Sequence, residues 1–321
     1  MISDTIRPNQ AAIGGDDFVL PFSTDRSRIN GRVIRLGASI DSILGRHAYP
    51  ESVGRTLGEA IALTGLVGSG LKFDGRLIVQ TKTDGPLGFL VVNYDVPGKL
   101  RGYASFDAAA LARAGNTSEG GLLGSGHLAL TIDQGTDMDR YQGIVPLDAS
   151  TLTGGALSYF RQSEQLPTFI RVAVARHFVG GQWRWRAGGL MIQRLARSGG
   201  KSTGGGLSGD ERDLSLEGED AEDWTRARLL AETVEDHELL DPMLDSQRLL
   251  YRLFHEEGVR AFEPVSIAAV CRCSHERIVT MLGSFSAADL GDMREADGAV
   301  SVKCEFCATT YRVRPEDLAS G

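Results

Sequence analysis

Four cysteines are the only thiols in this 321-residue chain, and they fall in two tight pairs: Cys271-Arg272-Cys273 within VCRCSHERI, and Cys304-Glu305-Phe306-Cys307 within KCEFCATTY. Two short chelating pairs separated by a loop are the arrangement of a structural zinc site, because four thiolates suit a metal that prefers a tetrahedral sulfur shell. Cys271, Cys273, Cys304 and Cys307 would fill that shell with one zinc per chain. Cys-x-x-Cys is the common knuckle spacing, and Cys-x-Cys is a tighter bite. His275 could compete for a position, but with four thiols at hand a solvated histidine on a first helical turn is the simpler reading. His47, His127, His177, His237 and His255 are scattered, without the paired spacing of a second metal site.

The role of such a zinc is less constrained than its presence. Most closed four-cysteine sites serve folding, and metal binding in small modules supplies about 10–16 kcal/mol. On the residues alone an inert folding staple is therefore the stronger reading, and two features raise the case for a switch. Cys273 immediately precedes Ser274, a helix start whose dipole favours thiolate, and thiols this close together can oxidise once the metal is lost. Oxidation would then remove the ligands and the folding energy together.

The elements that must position these thiols are legible around them. From Pro264 to Gly321, VSIAAV reads as a strand leading into the first pair, Ser274 caps a helix through Leu282, and Ser286 opens a short helix with Leu290 and Met293. AVSVKCEFCATTYRV then reads as a hairpin with the second pair at its turn. So few large apolar residues make a meagre core that needs a staple. Before this unit, EDWTRARLLAETVEDHELL reads as one helix with acids at its start. Asp241-Pro242 reads as the N-cap and first residue of a second, with Met243, Leu250, Leu253 and Phe254 on one stripe and Gly258 as its stop. Residues 223–263 are thus expected to form a helical connector, a hairpin packed on the domain before it. Residues 196–222, rich in Gly, Ser and acids, lack the apolar content to fold and read as a linker.

Residues 1–195 carry both hydrophobic periods. Val53, Leu57, Ala60 and Ile61 recur at helical spacing, predicting a helix with one face buried, whereas GRLIVQTKTDGPLGFLVVNYD reads as strand, turn at Asp84-Gly85-Pro86, strand. GHLALTID, YQGIVPLD, FIRVAVARHFV and GGLMIQRLA are further strands, and LSYFRQSEQLP is helical up to Pro167. Hairpin turns outnumber long crossovers, so the expected class is α+β: an N-terminal, mostly antiparallel sheet with packed helices, a helical connector, and a small C-terminal zinc module over 264–321.

Composition narrows the partners. A net charge of −8 argues against broad nucleic-acid binding, and from Pro264 onward six basic residues face eight acids, which is no phosphate-binding footprint. The amino terminus lacks the basic start and apolar run of a secretory signal, and no stretch approaches the ~18 apolar residues of a membrane span. The chain therefore reads as cytoplasmic, where clustered cysteines are metal ligands or redox groups rather than structural disulfides.

RHAYPESV, LKFDGRLIVQTKTDGPL, RYQGIVPLD, YFRQSEQLPTFI, GGLMIQ, YRLFHEE, and CRCSHER followed by CEFC together resemble the redox-regulated heat-shock protein 33 chaperones, in that family's order from about Arg32 to Tyr311. The resemblance implies an ATP-independent holdase that is not an enzyme. It implies zinc held by Cys271, Cys273, Cys304 and Cys307 in an inactive reduced state. Peroxide with mild unfolding, or hypochlorite, would form Cys271–Cys273 and Cys304–Cys307 disulfides, release zinc, and unfold the module and connector. Dimers would then form and hold unfolding client proteins until transfer to ATP-driven foldases. The 196–222 stretch is longer than the family's usual connection.

Three other readings carry less. Gly200-Lys201-Ser202 ends like a phosphate loop, but its first glycine would fall at Leu195 and no apolar helix follows. A nucleic-acid-binding zinc ribbon lacks the basic patch. A thiol-disulfide oxidoreductase using Cys304 and Cys307 would present them at a helix start rather than in a hairpin. His47, Glu51 and Glu164 form no nucleophile–base pair, so no catalytic residue is assigned.

Overall fold

A computed structural model describes residues 15–72, 74–115, 117–135, 140–148, 150–194 and 218–318. Its elements run β1 (Phe18–Thr24), β2 (Ile29–Leu36), α1 (Ala38–Leu44), α2 (Glu51–Gly68), β3 (Arg76–Thr83), β4 (Phe89–Asp95), β5 (Lys99–Ser105), α3 (Ala108–Ala114), α4 (Glu119–Leu123), β6 (Ser125–Asp133), β7 (Tyr141–Asp148), α5 (Leu152–Tyr159), β8 (Thr168–Val179) and β9 (Gln182–Arg194). There follow α6 (Glu219–Glu232), α7 (Asp236–Leu240), α8 (Ser246–Phe254), β10 (Val259–Ala261), β11 (Val265–Ser266), β12 (Ala268–Ala269), α9 (His275–Leu282), α10 (Ala287–Asp292), β13 (Val300–Lys303), β14 (Thr310–Val313) and α11 (Pro315–Leu318). The class is α+β, as expected.

Two large sheets carry the first part of the chain. One has the order β10-β1-β2-β9-β8, with β11 also on β1; the other has the order β12-β5-β4-β3-β6-β7. Every pairing is antiparallel except β12 with β5. The β3–β4 hairpin turns where Asp84-Gly85-Pro86 predicted. Helix α2 touches both sheets, and its burial differs from the expected single face. Val53, Leu57, Ala60, Ile61, Leu63 and Leu66 are all buried, covering most of its circumference. Its glycines explain why: a Cβ on Gly58 would stand 2.8 Å from Val174, and one on Gly65 would stand 2.4 Å from Ile34. The small positions let both sheets close on the helix.

Glu59, also on α2, is largely enclosed and hydrogen-bonds the Glu119 carboxyl, which accepts from Leu152 N at 2.8 Å. Burial, then the neighbouring carboxylate, push Glu59 up to about 8. A carboxyl raised in the fold contributes stability that is fully present below its unfolded value near 4.5 and is lost as pH rises through 8. Thermal melts of Glu59→Gln should therefore match the parent near pH 4.5 and exceed it near pH 8.5; a parallel offset at both would contradict the shared-proton account.

The far face of the first sheet is covered by the connector. Phe18, Leu20 and Phe22 alternate with Val19: the first three meet Ala227, Ala231, Leu239, Leu250, Leu253 and Phe254, while Val19 faces the α2 core. Phe22 and Phe254 stack at 5.5 Å between centroids. Three buried arginines tie the connector down: Arg35 donates to the Leu239, Asp241 and Leu244 carbonyls at 2.8, 3.0 and 2.9 Å, Arg186 to the Leu240 carbonyl at 2.9 Å, and Arg194 to the Asp220 carbonyl at 2.5 Å.

The connector departs from the expected helical hairpin in three ways. Its first helix begins at Glu219, inside the stretch read as linker, and Asp220 there pairs with Arg194 at 2.5 Å. Residues 196–217, with Gly200-Lys201-Ser202, lie outside the described residues. The helix breaks at 233–235, where Val234 is buried and Glu235 forms a capping box with Glu238 that starts α7. The last helix is capped by Asp245, which accepts from Gln247 N at 2.7 Å, and not by Asp241, whose side chain closes a turn on Met243 N at 2.8 Å. Met243 is consequently 84% exposed and off the stripe, while Leu250, Leu253 and Phe254 are buried and Gly258 ends the segment at φ 71°.

VSIAAV is extended as predicted, but it does not join the cysteine unit's own sheet. It supplies β11 and β12, which lie on the edges of the two large sheets. The third sheet is the β13–β14 hairpin, which packs Val300 and Val313 against Leu282 of α9.

Candidate metal centre

Two local structures deliver the thiols. Cys271 and Cys273 lie in the extended stretch between β12 and α9, which Ser274 starts by accepting from Arg277 N at 3.3 Å. Cys304 and Cys307 occupy the β13–β14 turn, closed by Cys304 N on the Thr309 carbonyl at 2.9 Å and Ala308 N on the Cys304 carbonyl at 2.8 Å, with Ala308 left-handed at φ 57°. All four Sγ atoms lie within 4.8 Å of one another. Two contacts cross between the segments: Cys271–Cys304 at 3.7 Å and Cys273–Cys307 at 3.3 Å. These separations far exceed a disulfide bond of about 2.05 Å. They lie near the edge of about 3.8 Å of a sulfur tetrahedron at metal–sulfur bonds of about 2.3 Å, so the donor set fits a zinc-type ion. The cluster contains no histidine; His275 instead lies 3.9 Å from Asp317.

The environment acts unevenly on the four thiols. Burial pushes Cys273 up to about 12 and also raises Cys304. Burial works in the same direction on Cys307, but hydrogen bonding from the Thr309 side chain and backbone outweighs it together with the neighbouring thiols, leaving Cys307 at about 6. Tyr311, on β14, donates to Cys273 Sγ at 3.1 Å. It is a supporting residue that spacing alone did not single out; its signal is a polar aromatic four positions beyond the knuckle.

The centre is docked on the edge of the second sheet. Phe306, at the knuckle tip, lies 4.1 Å under the Arg101 guanidinium and 6.5 Å from the Tyr103 ring, both on β5. Arg272, between the first two thiols, reaches Asp95 at 3.3 Å, and Asp95 also holds Arg76 at 2.6 Å. A cavity of about 730 Å³ opens here, lined by Arg76, Asp95, Lys99, Cys271, Arg272 and Cys273 among others. A cation–π contact of this kind contributes about 1 kcal/mol. Phe306→Ala should keep zinc bound while lowering the denaturant midpoint at which the module detaches, followed by Tyr103 quenching; an unchanged midpoint would show that the contact is incidental.

Comparison with known proteins bears on what such a centre belongs to. The family described as Hsp33 protein matches residues 17–314. The chain belongs to the Hsp33 family. The "33 kDa chaperonin" of Caulobacter vibrioides is 45% identical over 307 residues, covering 94% of this chain and 95% of that protein. The "33 kDa chaperonin" of Azotobacter vinelandii is 36% identical over 304 residues, covering 94% and 93%. The crystal structure of the Thermotoga maritima 33 kDa chaperonin, a heat shock protein 33 homolog, superposes with TM-score 0.74 at 21% identity, covering 95% of this chain and 97% of that one, and so shares the Hsp33 fold. Membership in the Hsp33 family supports a chaperone function. Among the described residues no helix is long and apolar enough to cross a membrane.

Proposed function

We propose that the chain is a redox-regulated, ATP-independent holdase whose reduced, zinc-bound form is inactive. The observation that carries this is the continuity of the site with its surroundings: the thiols that fit a metal sit on a module whose buried apolar cluster, among the described residues, is only Leu282, Val300 and Val313, docked on one sheet and joined to the connector that covers the other. Cys271, Cys273, Cys304 and Cys307 would hold zinc, which supplies the folding energy the module's own core lacks. Residues 1–195 would be the chaperone domain, 196–222 a linker, 223–263 the connector and 264–321 the switch.

Each disulfide forms as a pair of cysteine sulfurs gives up two electrons; peroxide accepts them and leaves as two waters, drawing its two protons from solvent where the sulfurs were zinc-bound thiolates. The proposed pairs are Cys271–Cys273 and Cys304–Cys307. Cross-segment disulfides would staple the module shut. Within-motif disulfides let its two segments part, which suits a switch that works by unfolding. The polar cavity beside Cys271 gives a small oxidant a path. The clients are unfolding proteins, bound by an oxidised homodimer and passed to ATP-dependent foldases, in the cytoplasm.

The test is suppression of thermal aggregation by reduced, zinc-loaded protein and by oxidised protein, both without nucleotide. Only the oxidised form should suppress, at near-stoichiometric amounts, with no catalytic reduction of insulin. The Cys-x-x-Cys in a hairpin turn supports this over the oxidoreductase reading. Equal activity in both forms would remove redox control.

A further inference from the structure

We infer that residues 259–270 are a strap covering the outer edges of both large sheets, and that an extended segment of an unfolding polypeptide replaces it as an added strand. This rests on the chaperone reading and names where a client docks. The strap runs antiparallel along β1, with Val259 opposite Thr24, Ala261 opposite Phe22 and Val265 opposite Val19. Phe262 N donates to the Pro21 carbonyl at 2.9 Å and Ile267 N to the Asp17 carbonyl at 2.7 Å. It then crosses to the second sheet at Gly98, where a Cβ would meet the Ser266 carbonyl at 2.0 Å. There it runs parallel to β5, with Ala268 N on the Gly98 carbonyl at 2.9 Å and Val270 N on the Leu100 carbonyl at 3.0 Å. The next residue is Cys271.

Main-chain bonds run the length of the strap, and its side-chain anchors are few, with Arg260 paired to Asp25 at 2.7 Å. Of its residues only Val259 and Ile267 are buried. An edge read through backbone groups tolerates almost any sequence, which is what a binder of unfolded proteins requires, and strand addition is an established mode of peptide capture. Both strap ends are anchored to parts the switch would release: α8 through Gly258, and the thiols through Cys271. Once it lifts, β1 and β5 become open edges, and such edges recruit strands from other chains. On β5, Ala104 N is already taken by the Tyr49 hydroxyl at 3.1 Å, so the available edge runs from Gly98 to Gly102.

Hydrogen exchange on the full chain tests this, with reduced, carboxymethylated α-lactalbumin as the unfolded probe. Amides of β1 and β5 should exchange about tenfold faster or more after oxidation and recover protection when the probe binds. If the probe is held while those amides stay fast, clients dock elsewhere: the inference fails and the chaperone reading stands. If protection returns on oxidation without probe, in step with dimer formation by sedimentation, a second copy fills the edges and the inference also fails. If the oxidised protein holds no probe, both fall. Ala268→Pro removes the N–H given to Gly98 and should lower the oxidant dose for probe binding several-fold with zinc retained, whereas Ala268→Val should behave as the parent. An Ala268→Pro protein that keeps its zinc and the parent's dose response would overturn the strap's role.

Discussion

Replacing Cys304 with serine is expected to abolish stoichiometric zinc binding and to unfold the C-terminal module without any oxidant. Among the described residues the module's own buried apolar cluster is Leu282, Val300 and Val313, with Ala299 also buried, too little to order the chain from Cys271 to Val313 unaided. Metal ligation supplies about 10–16 kcal/mol in modules of this size, and a hydroxyl does not replace a thiolate in the sulfur shell. Metal analysis should find the variant essentially empty. Exchange protection over 271–313 should vanish while that of α2, β2–β4 and β6–β9 persists, since those elements share a separate core. Client holding should be constitutive. Full zinc occupancy in Cys304→Ser would mean that another group completes the shell.

Phe254→Ala should separate the connector from the metal. Phe254 is fully buried, stacks on Phe22, and belongs to the cluster joining α6, α7 and α8 to the first sheet. Truncating a buried Phe costs about 3–5 kcal/mol, a large share of what a connector of three short helices gains by packing. Limited proteolysis should cut near α7 and α8 in reduced protein that still carries its zinc. Aggregation suppression should appear in that reduced state, or at a much lower oxidant dose. A variant with an accessible connector and no gain in suppression would show that uncovering this sheet face is not what activates the chain.

Much of this arrangement was legible in the sequence because it is encoded locally. The β3–β4 turn follows from Asp84-Gly85-Pro86, α9 from Ser274, and the thiol cluster from two chelating pairs, each of which needs only a few neighbouring residues. What was not legible depends on distant partners. VSIAAV reads as strand, yet nothing within it says that Val265 meets Val19 while Ala269 meets Leu100. Asp241 and Asp245 are equally good caps by residue type, and the choice is made by the carbonyls that Arg35 gathers from Leu239, Asp241 and Leu244. Arg35 and Arg186 are buried on strands that also carry the less buried Arg32 and Arg184, so residue type alone did not mark an element packed on the far face. The near-complete burial of α2 likewise depends on a second sheet that its own periodicity does not announce.

The central claim is that metal, fold and client holding are one coupled event. It is tested most directly by titrating reduced, zinc-loaded protein with peroxide under mildly destabilising conditions. Each sample is measured for released zinc, for exchange protection over 219–313, and for suppression of aggregation. The account predicts that the three curves coincide and end at one zinc released per chain. Full suppression reached while that region stays protected and zinc stays bound would contradict it, and would leave the four cysteines as a structural staple alone.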